Sequence, residues 1–145
     1  MSLFAKNRVL FPTDFSELAD SAQAKTLEFV ENPSNLYIVH VLPPLSAFEP
    51  GVVWETLNNR TRTENVEKTF DNRFNTSEYQ QVNFEVLFGD TSKKIVEYAK
   101  EKDIELIVIP AHGHSGLDRF LLGSVTERVV RFAHCPVYVW RSPQG

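Results

Sequence analysis

A chain of 145 residues with a formal net charge of −4 is long enough for one domain, residues 1–145, with a full core, and it lacks the basic stripe of a general nucleic-acid binder. With 42% hydrophobic residues it is globular and not disordered, and its single cysteine, Cys135, excludes an intrachain disulfide and fits a reducing compartment. No window approaches the roughly 18 consecutive apolar residues of a membrane span, and Lys6 and Arg8 break up the N-terminal apolar runs. The expectation is a cytoplasmic protein without a signal peptide and without nucleic-acid or membrane partners.

Arg8 to Phe11 reads as a short buried strand ended by Pro12. Asp14 is placed to cap the next helix, with Glu17 completing a capping box. Phe15, Leu18, Ala19, Ala22, Thr26, Phe29 and Val30 then recur at helical spacing. Asn32-Pro33-Ser34-Asn35 stops that helix, and Leu36 to Leu42 is a second buried strand closed by Pro43-Pro44. Leu45 to Trp54, with Phe48, Pro50 and Gly51, reads as a loop. A polar helix follows from about Glu55 to Asn75, turning Leu57, Val66, Phe70 and Phe74 inward, its basic residues from Arg60 to Arg73 mixed with Glu64, Glu67 and Asp71 as on a solvated face. Val82 to Phe88 is a third strand, and Gly89-Asp90-Thr91 leads into a helix with Ile95, Val96 and Ala99 inside. Ile104 to Pro110 is the fourth strand, Ser124 to Phe132 the last helix, and Pro136 to Trp140 the fifth strand. Strands alternating with helices, the strands continuously apolar, give an α/β class: three α/β/α layers around a five-stranded, mostly parallel sheet. Ligands of such sheets lie beyond the carboxyl ends of strands, where strand order reverses. If the first and fourth strands are neighbours, Pro12-Thr13-Asp14 and the loop after Pro110 line one crevice.

That loop carries the most information. Gly113-His114-Ser115-Gly116 follows the fourth strand, and Gly123-Ser124-Val125-Thr126 opens the last helix. Glycines between a strand and a helix N-terminus suit phosphate, because backbone N–H groups are accessible there and the helix dipole favours negative charge. The same residues also fit plain structure: Ser124 and Glu127 form a capping-box spacing, and Gly113 and Gly116 suit turns. Other chemistries have less support. Neither the P-loop spacing nor the dinucleotide Gly-x-Gly-x-x-Gly occurs. His112, His114, His134 and Cys135 do not have a zinc-site spacing, and no Gly-x-Ser-x-Gly elbow marks a hydrolase. His114 and Arg119 offer positive charge to a phosphate or to solvent.

Taken together, these segments resemble the universal stress protein family. The resemblance is carried by Phe11-Pro12-Thr13-Asp14-Phe15-Ser16-Glu17, His40-Val41, Asp103-Ile104-Glu105-Leu106-Ile107-Val108, His112-Gly113, Gly123-Ser124-Val125-Thr126 and Cys135-Pro136-Val137-Tyr138-Val139. It covers nearly the whole chain and is weakest from Leu45 to Gln80. It implies a Rossmann-like fold of the adenine nucleotide alpha-hydrolase kind and a stress-response module that binds ATP or another adenine nucleotide as a regulatory ligand, with Mg²⁺ or Mn²⁺ as an accompanying ion. Asp14 would accept hydrogen bonds from ribose or adenine, Pro12 and Thr13 would flank the base, and the backbone of Val41 would read the adenine edge. The backbone of Gly113, Ser124 and Val125, with the Ser124 and Thr126 hydroxyls, would take the phosphates, and Gly123 would matter for its missing Cβ. The first glycine of the nucleotide-binding pattern falls on Pro110, which lacks an N–H, fixes φ and adds bulk. The alternative is therefore a nucleotide-free dimeric interaction protein of the same fold, with Pro110 blocking the site. No general base stands out, so at most slow ATP hydrolysis is expected and no catalytic residue is assigned. The apolar fifth strand lacks the charges that protect a free sheet edge; the resemblance adds that it pairs with its counterpart in a homodimer.

Overall fold

The computed structural model describes residues 8–44, 55–112 and 122–141, with side chains in the second stretch from residue 59. The expectations for Phe48, Trp54, the Leu57 side chain, Gly113, His114, Gly116 and Arg119 lie outside the described residues.

Each apolar run becomes a strand: β1 (Val9–Pro12), β2 (Leu36–Leu42), β3 (Asn83–Phe88), β4 (Leu106–Pro110) and β5 (Val137–Trp140). Between them lie α1 (Glu17–Phe29), α2 (Glu55–Arg73), α3 (Thr91–Glu101) and α4 (Ser124–Phe132), with short 3-10 turns at Pro33–Asn35 and Ser77–Gln81. The strands join in the order β3-β2-β1-β4-β5, and every neighbouring pair is parallel. The expected adjacency of the first and fourth strands is therefore real. The chain builds β1, β2 and β3 outward in one direction, then returns through α3 to place β4 on the other side of β1. Strand order reverses between β1 and β4.

Alternate strand residues feed two cores, one on each face of the sheet. On one side Val9, Phe11, Leu36, Ile38, Leu106 and Val108 pack with Ala19, Ala22, Leu27 and Phe70. On the other, Leu10, Val39, Ile107 and Ile109 pack with Ile95, Tyr98, Ala99 and Val129. α2 is polar along most of its length and is held by a ring within it and one just past its end: Phe70 stacks on Phe84 with centroids 4.1 Å apart, and Phe74 lies 5.0 Å from Tyr79.

Three local readings are corrected. Ser16, not Asp14, caps α1, accepting the Ala19 amide at 3.1 Å. Asp14 is held one step earlier, its Oδ1 accepting the Ser16 amide at 2.9 Å in an Asx turn. β4 begins at Leu106 and not at Ile104, because Asp103 takes a left-handed φ of 53° and turns the Ile104 amide back to the Ala99 carbonyl, 2.9 Å away. Gln23, overlooked by an apolar periodicity, is fully buried in α1 and donates to the Tyr79 hydroxyl at 3.1 Å.

Candidate functional site

The turn leaving β1 is tightly specified. The Thr13 amide still bonds the Val39 carbonyl at 2.8 Å, continuing the β1–β2 ladder. Phe15 then takes φ 62°, a left-handed conformation that costs a non-glycine residue about 1–2 kcal/mol. Side chains around it hold that conformation. The Thr13 hydroxyl accepts the Phe15 amide at 3.0 Å, and His40 Nδ1 lies 2.7 Å from the Thr13 carbonyl. A carbonyl only accepts, so Nδ1 carries the proton. The Phe15 ring rests 5.0 Å from the His40 ring and 5.4 Å from the Arg73 guanidinium. Arg73 also donates to the Phe15 carbonyl at 3.3 Å and pairs with Asp20. Burial pushes the Asp20 carboxyl above its ordinary pKa although Arg73 pulls it down.

Beyond this turn the sheet opens, and two prolines open it. N–H groups alternate sides along a strand. The Thr13 amide faces β2, so the position before it in β1 faces β4. The Ile107 and Ala111 amides face β5, bonding the Pro136 and Trp140 carbonyls at 3.0 and 2.8 Å, so position 110 faces β1. The last paired residues of β1 and β4 are Leu10 and Ile107. The next donors into that gap belong to positions 12 and 110, and both are proline. Neither strand can continue the ladder, so they part at the point where strand order reverses.

The far wall is the start of α4. Gly123 is its N-cap, with extended backbone (φ −63°, ψ 153°) and no side-chain cap. The capping box expected of Ser124 and Glu127 is not formed, because Ser124 already stands inside the helix. The first intrahelical bond runs from the Glu127 amide to the Gly123 carbonyl at 2.9 Å, which leaves the amides of Ser124, Val125 and Thr126 ahead of it. The expected role of the Thr126 hydroxyl as a phosphate donor is also corrected: it is buried and gives its proton to the Pro110 carbonyl at 2.7 Å, fastening α4 to the end of β4. Gly123 sits close to protein as well as to the cleft: a Cβ there would stand 3.3 Å from His112 Cα, a tight contact, and 3.5 Å from the Ala111 carbonyl oxygen, an ordinary one.

Between these walls lies a cleft of about 250 Å³. Six of the expected site residues line it: Pro12, Thr13, Asp14, Val41, Val125 and Thr126. Gly123 and Ser124 do not line it but begin the helix whose next two residues do. Gly113 lies outside the described residues. Pro110 is part of the lining, and so are His40, His112, Thr91, Ile95 and Ile109, which sequence reasoning did not assign. The Asp90-Thr91 helix start was legible, but nothing in the sequence placed it against β1. Asp90 caps α3, and the bonds it accepts from the Lys93 amide and the Ser92 hydroxyl pull its carboxyl below the ordinary range. Among the described residues, no three His, Cys, Asp or Glu side chains gather as a metal site.

The model of the Universal stress protein family matches residues 6–141. The chain belongs to the universal stress protein family. The universal stress protein MJ0531 of Methanocaldococcus jannaschii is 33% identical over 94% of this chain and 83% of its own length. Among solved structures, the M. jannaschii protein MJ0577 is similar with a TM-score of 0.72 at 26% identity, covering 97% of this universal stress protein and 99% of that chain. A universal stress protein crystallised in complex with cAMP shares the fold at a TM-score of 0.60 and 21% identity, with 94% and 97% covered. No described helix is long and apolar enough to cross a membrane.

Proposed function

We propose that this universal stress protein is a cytoplasmic stress-response module that binds ATP or another adenine nucleotide as a regulatory ligand in the β1–β4 cleft. The observation that carries this reading is the pairing of two unlike walls across one gap: the Asp14 carboxylate on one side and the uncapped amides of Ser124, Val125 and Thr126 on the other. A nucleoside polyphosphate has the matching asymmetry, hydrogen-bond donors on its ribose and base and negative charge on its phosphates. Pro12, Thr13 and Val41 supply the surface for the base, and Gly113, Gly123 and Ser124 belong to the phosphate loop. Another universal stress protein of this fold was solved in complex with an adenine nucleotide, cAMP, which supports an adenine-nucleotide ligand. In this reading the nucleotide acts as a bound regulator, at most slowly hydrolysed, with Mg²⁺ or Mn²⁺ arriving on its phosphates. The test is to heat-denature the purified protein and analyse the supernatant. Adenine nucleotide released in stoichiometric amount supports the reading; a protein that neither carries nor takes up nucleotide leaves the nucleotide-free interaction protein.

The same protein is proposed to be a homodimer through β5. The Pro136 and Trp140 carbonyls face β4, so by alternation the Val137 and Val139 amides face away from the sheet. Tyr138 is 54% exposed and stands next to Trp140 on the α1 side. A two-fold contact would pair those edge amides with the other copy's carbonyls. Val139→Pro removes an outward N–H and leaves the β4 ladder intact, so it should shift the dimer toward monomer in light scattering. A monomeric parent protein at tens of micromolar contradicts the dimer and leaves the nucleotide reading standing.

A further inference from the structure

We propose that Arg73, in the last turn of α2, is a positioning residue for the cleft: it holds the left-handed turn at Phe15 and thereby sets where Asp14 stands. The proposal rests on the nucleotide reading of the cleft and deepens it. Arg73 is not part of the cleft lining. It acts from behind, on the sheet face that carries α1 and α2. Its guanidinium divides its donors between the Phe15 carbonyl, 3.3 Å away, and the Asp20 carboxylate, while its face covers the Phe15 ring at 5.4 Å and the Phe74 ring at 5.7 Å. One side chain therefore ties the end of α2 to the first turn of α1 and to the one residue between them with an unfavourable φ.

That geometry asks for arginine in particular. The planar fork reaches two acceptors in different directions while its face remains on an aromatic ring. Phe15 is the residue through which the effect must pass. Its ring lies 5.4 Å from the Arg73 guanidinium and 5.0 Å from the His40 ring, and His40 in turn holds the Thr13 carbonyl at 2.7 Å. Its backbone links Asp14 to the Ser16 cap, whose amide bonds Asp14 Oδ1 at 2.9 Å. If Phe15 leaves φ 62°, that bond and the direction of the Asp14 carboxylate change together. α2 lies outside the expected site, yet it would thereby control the Asp14 carboxylate.

The test compares Arg73→Met, which keeps the stem, and Arg73→Lys, which keeps the charge, in the parent and in a Phe15→Gly background. Backbone NMR shifts of residues 14–16 in the ligand-free protein report the turn, and calorimetry reports ATP affinity. Arg73→Met should move those shifts and weaken ATP by about ten-fold while unfolding stays cooperative, and Arg73→Lys should restore only part of the loss. Glycine adopts the left-handed backbone unaided, so in the Phe15→Gly background the same change should cost less than about two-fold. Should Arg73→Met fail to fold, the Arg73→Lys pair decides, through the same shifts and the same cycle. Unchanged shifts would overturn the proposal, as would a full loss of affinity that persists in the glycine background. A parent protein that binds no ATP would remove the functional reading, and the shifts alone would then decide whether Arg73 holds the turn.

Discussion

The two walls of the cleft are built on opposite principles. The β1 wall is made by side chains: Thr13, Asp14 and His40 bond the backbone around one residue of unfavourable φ, with the Ser16 cap and Arg73 behind them. The α4 wall is made by backbone: a glycine with no side-chain cap, a helix start whose first amides have no intrahelical partner, and one hydroxyl tying it to Pro110. A side-chain wall can be adjusted one group at a time, whereas a backbone wall changes only when its packing changes. Substitutions should therefore act in steps on the first wall and nearly all at once on the second.

The largest effect is expected at Gly123. Valine there would press its branched side chain against the backbone of Ala111 and His112, where even a Cβ stands 3.3 Å from the nearest atom. The branched side chain should displace the start of α4, and ATP affinity should fall by about 100-fold or more, equivalent to ~2.7 kcal/mol, in a calorimetric titration. Binding within a few-fold of the parent would show that the amides of α4 do not hold the ligand.

Asp14→Ala should weaken ATP by about 1–3 kcal/mol, roughly 5- to 150-fold, the range for a hydrogen bond to a charged group. Asp14→Asn separates two contributions, since its side-chain oxygen still accepts the Ser16 amide but carries no charge. If the carboxylate reads the ligand directly, asparagine should recover only part of the affinity. Full recovery would assign Asp14 to the turn alone.

Pro110 is a smaller test between the walls. Pro110→Gly returns an N–H to the gap and removes a ring from the cleft, so ATP should bind a few-fold tighter. The added freedom of the unfolded chain should lower stability by about 0.4–1 kcal/mol, visible as a lower melting temperature. Binding that appears only in the variant would mean that the ring blocks the site, as the nucleotide-free alternative requires.

The smallest expected effect concerns pH and the start of α3. Asp90 is more acidic in the fold than in the unfolded chain, so the unfolded state takes up protons first as pH falls. Its contribution is fully present above the ordinary aspartate range and is lost as pH drops through the lowered value. Asp90→Asn should flatten the acid limb of a melting-temperature profile, and an unchanged limb would show that this cap adds nothing measurable.

Most of the fold was legible because the apolar runs were continuous and the breaks between them contained proline, glycine or asparagine. The site was legible in part. Pro12, Thr13 and Asp14 follow directly from a strand end, and Val125 and Thr126 from a helix start. His40 and Thr91 were not assigned, because their place in the cleft depends on strand order, which periodicity does not encode. The meaning of Pro110 changed for the same reason. Read along the chain it is only a departure from a glycine pattern; set in register beside Pro12 it is one of two residues that part β1 from β4. Ser16 could have been found, since serine before Glu17 is itself a helix-start signal, but the neighbouring Asp14 fitted the same role.

The central claim is that these two walls together hold an adenine nucleotide, and calorimetry of ATP against the unmodified, nucleotide-stripped protein tests it most directly. Saturable binding near one ATP per chain is expected, with a Kd below about 1 mM, some 4 kcal/mol of affinity or more. No detectable heat or saturation up to millimolar ATP would contradict it.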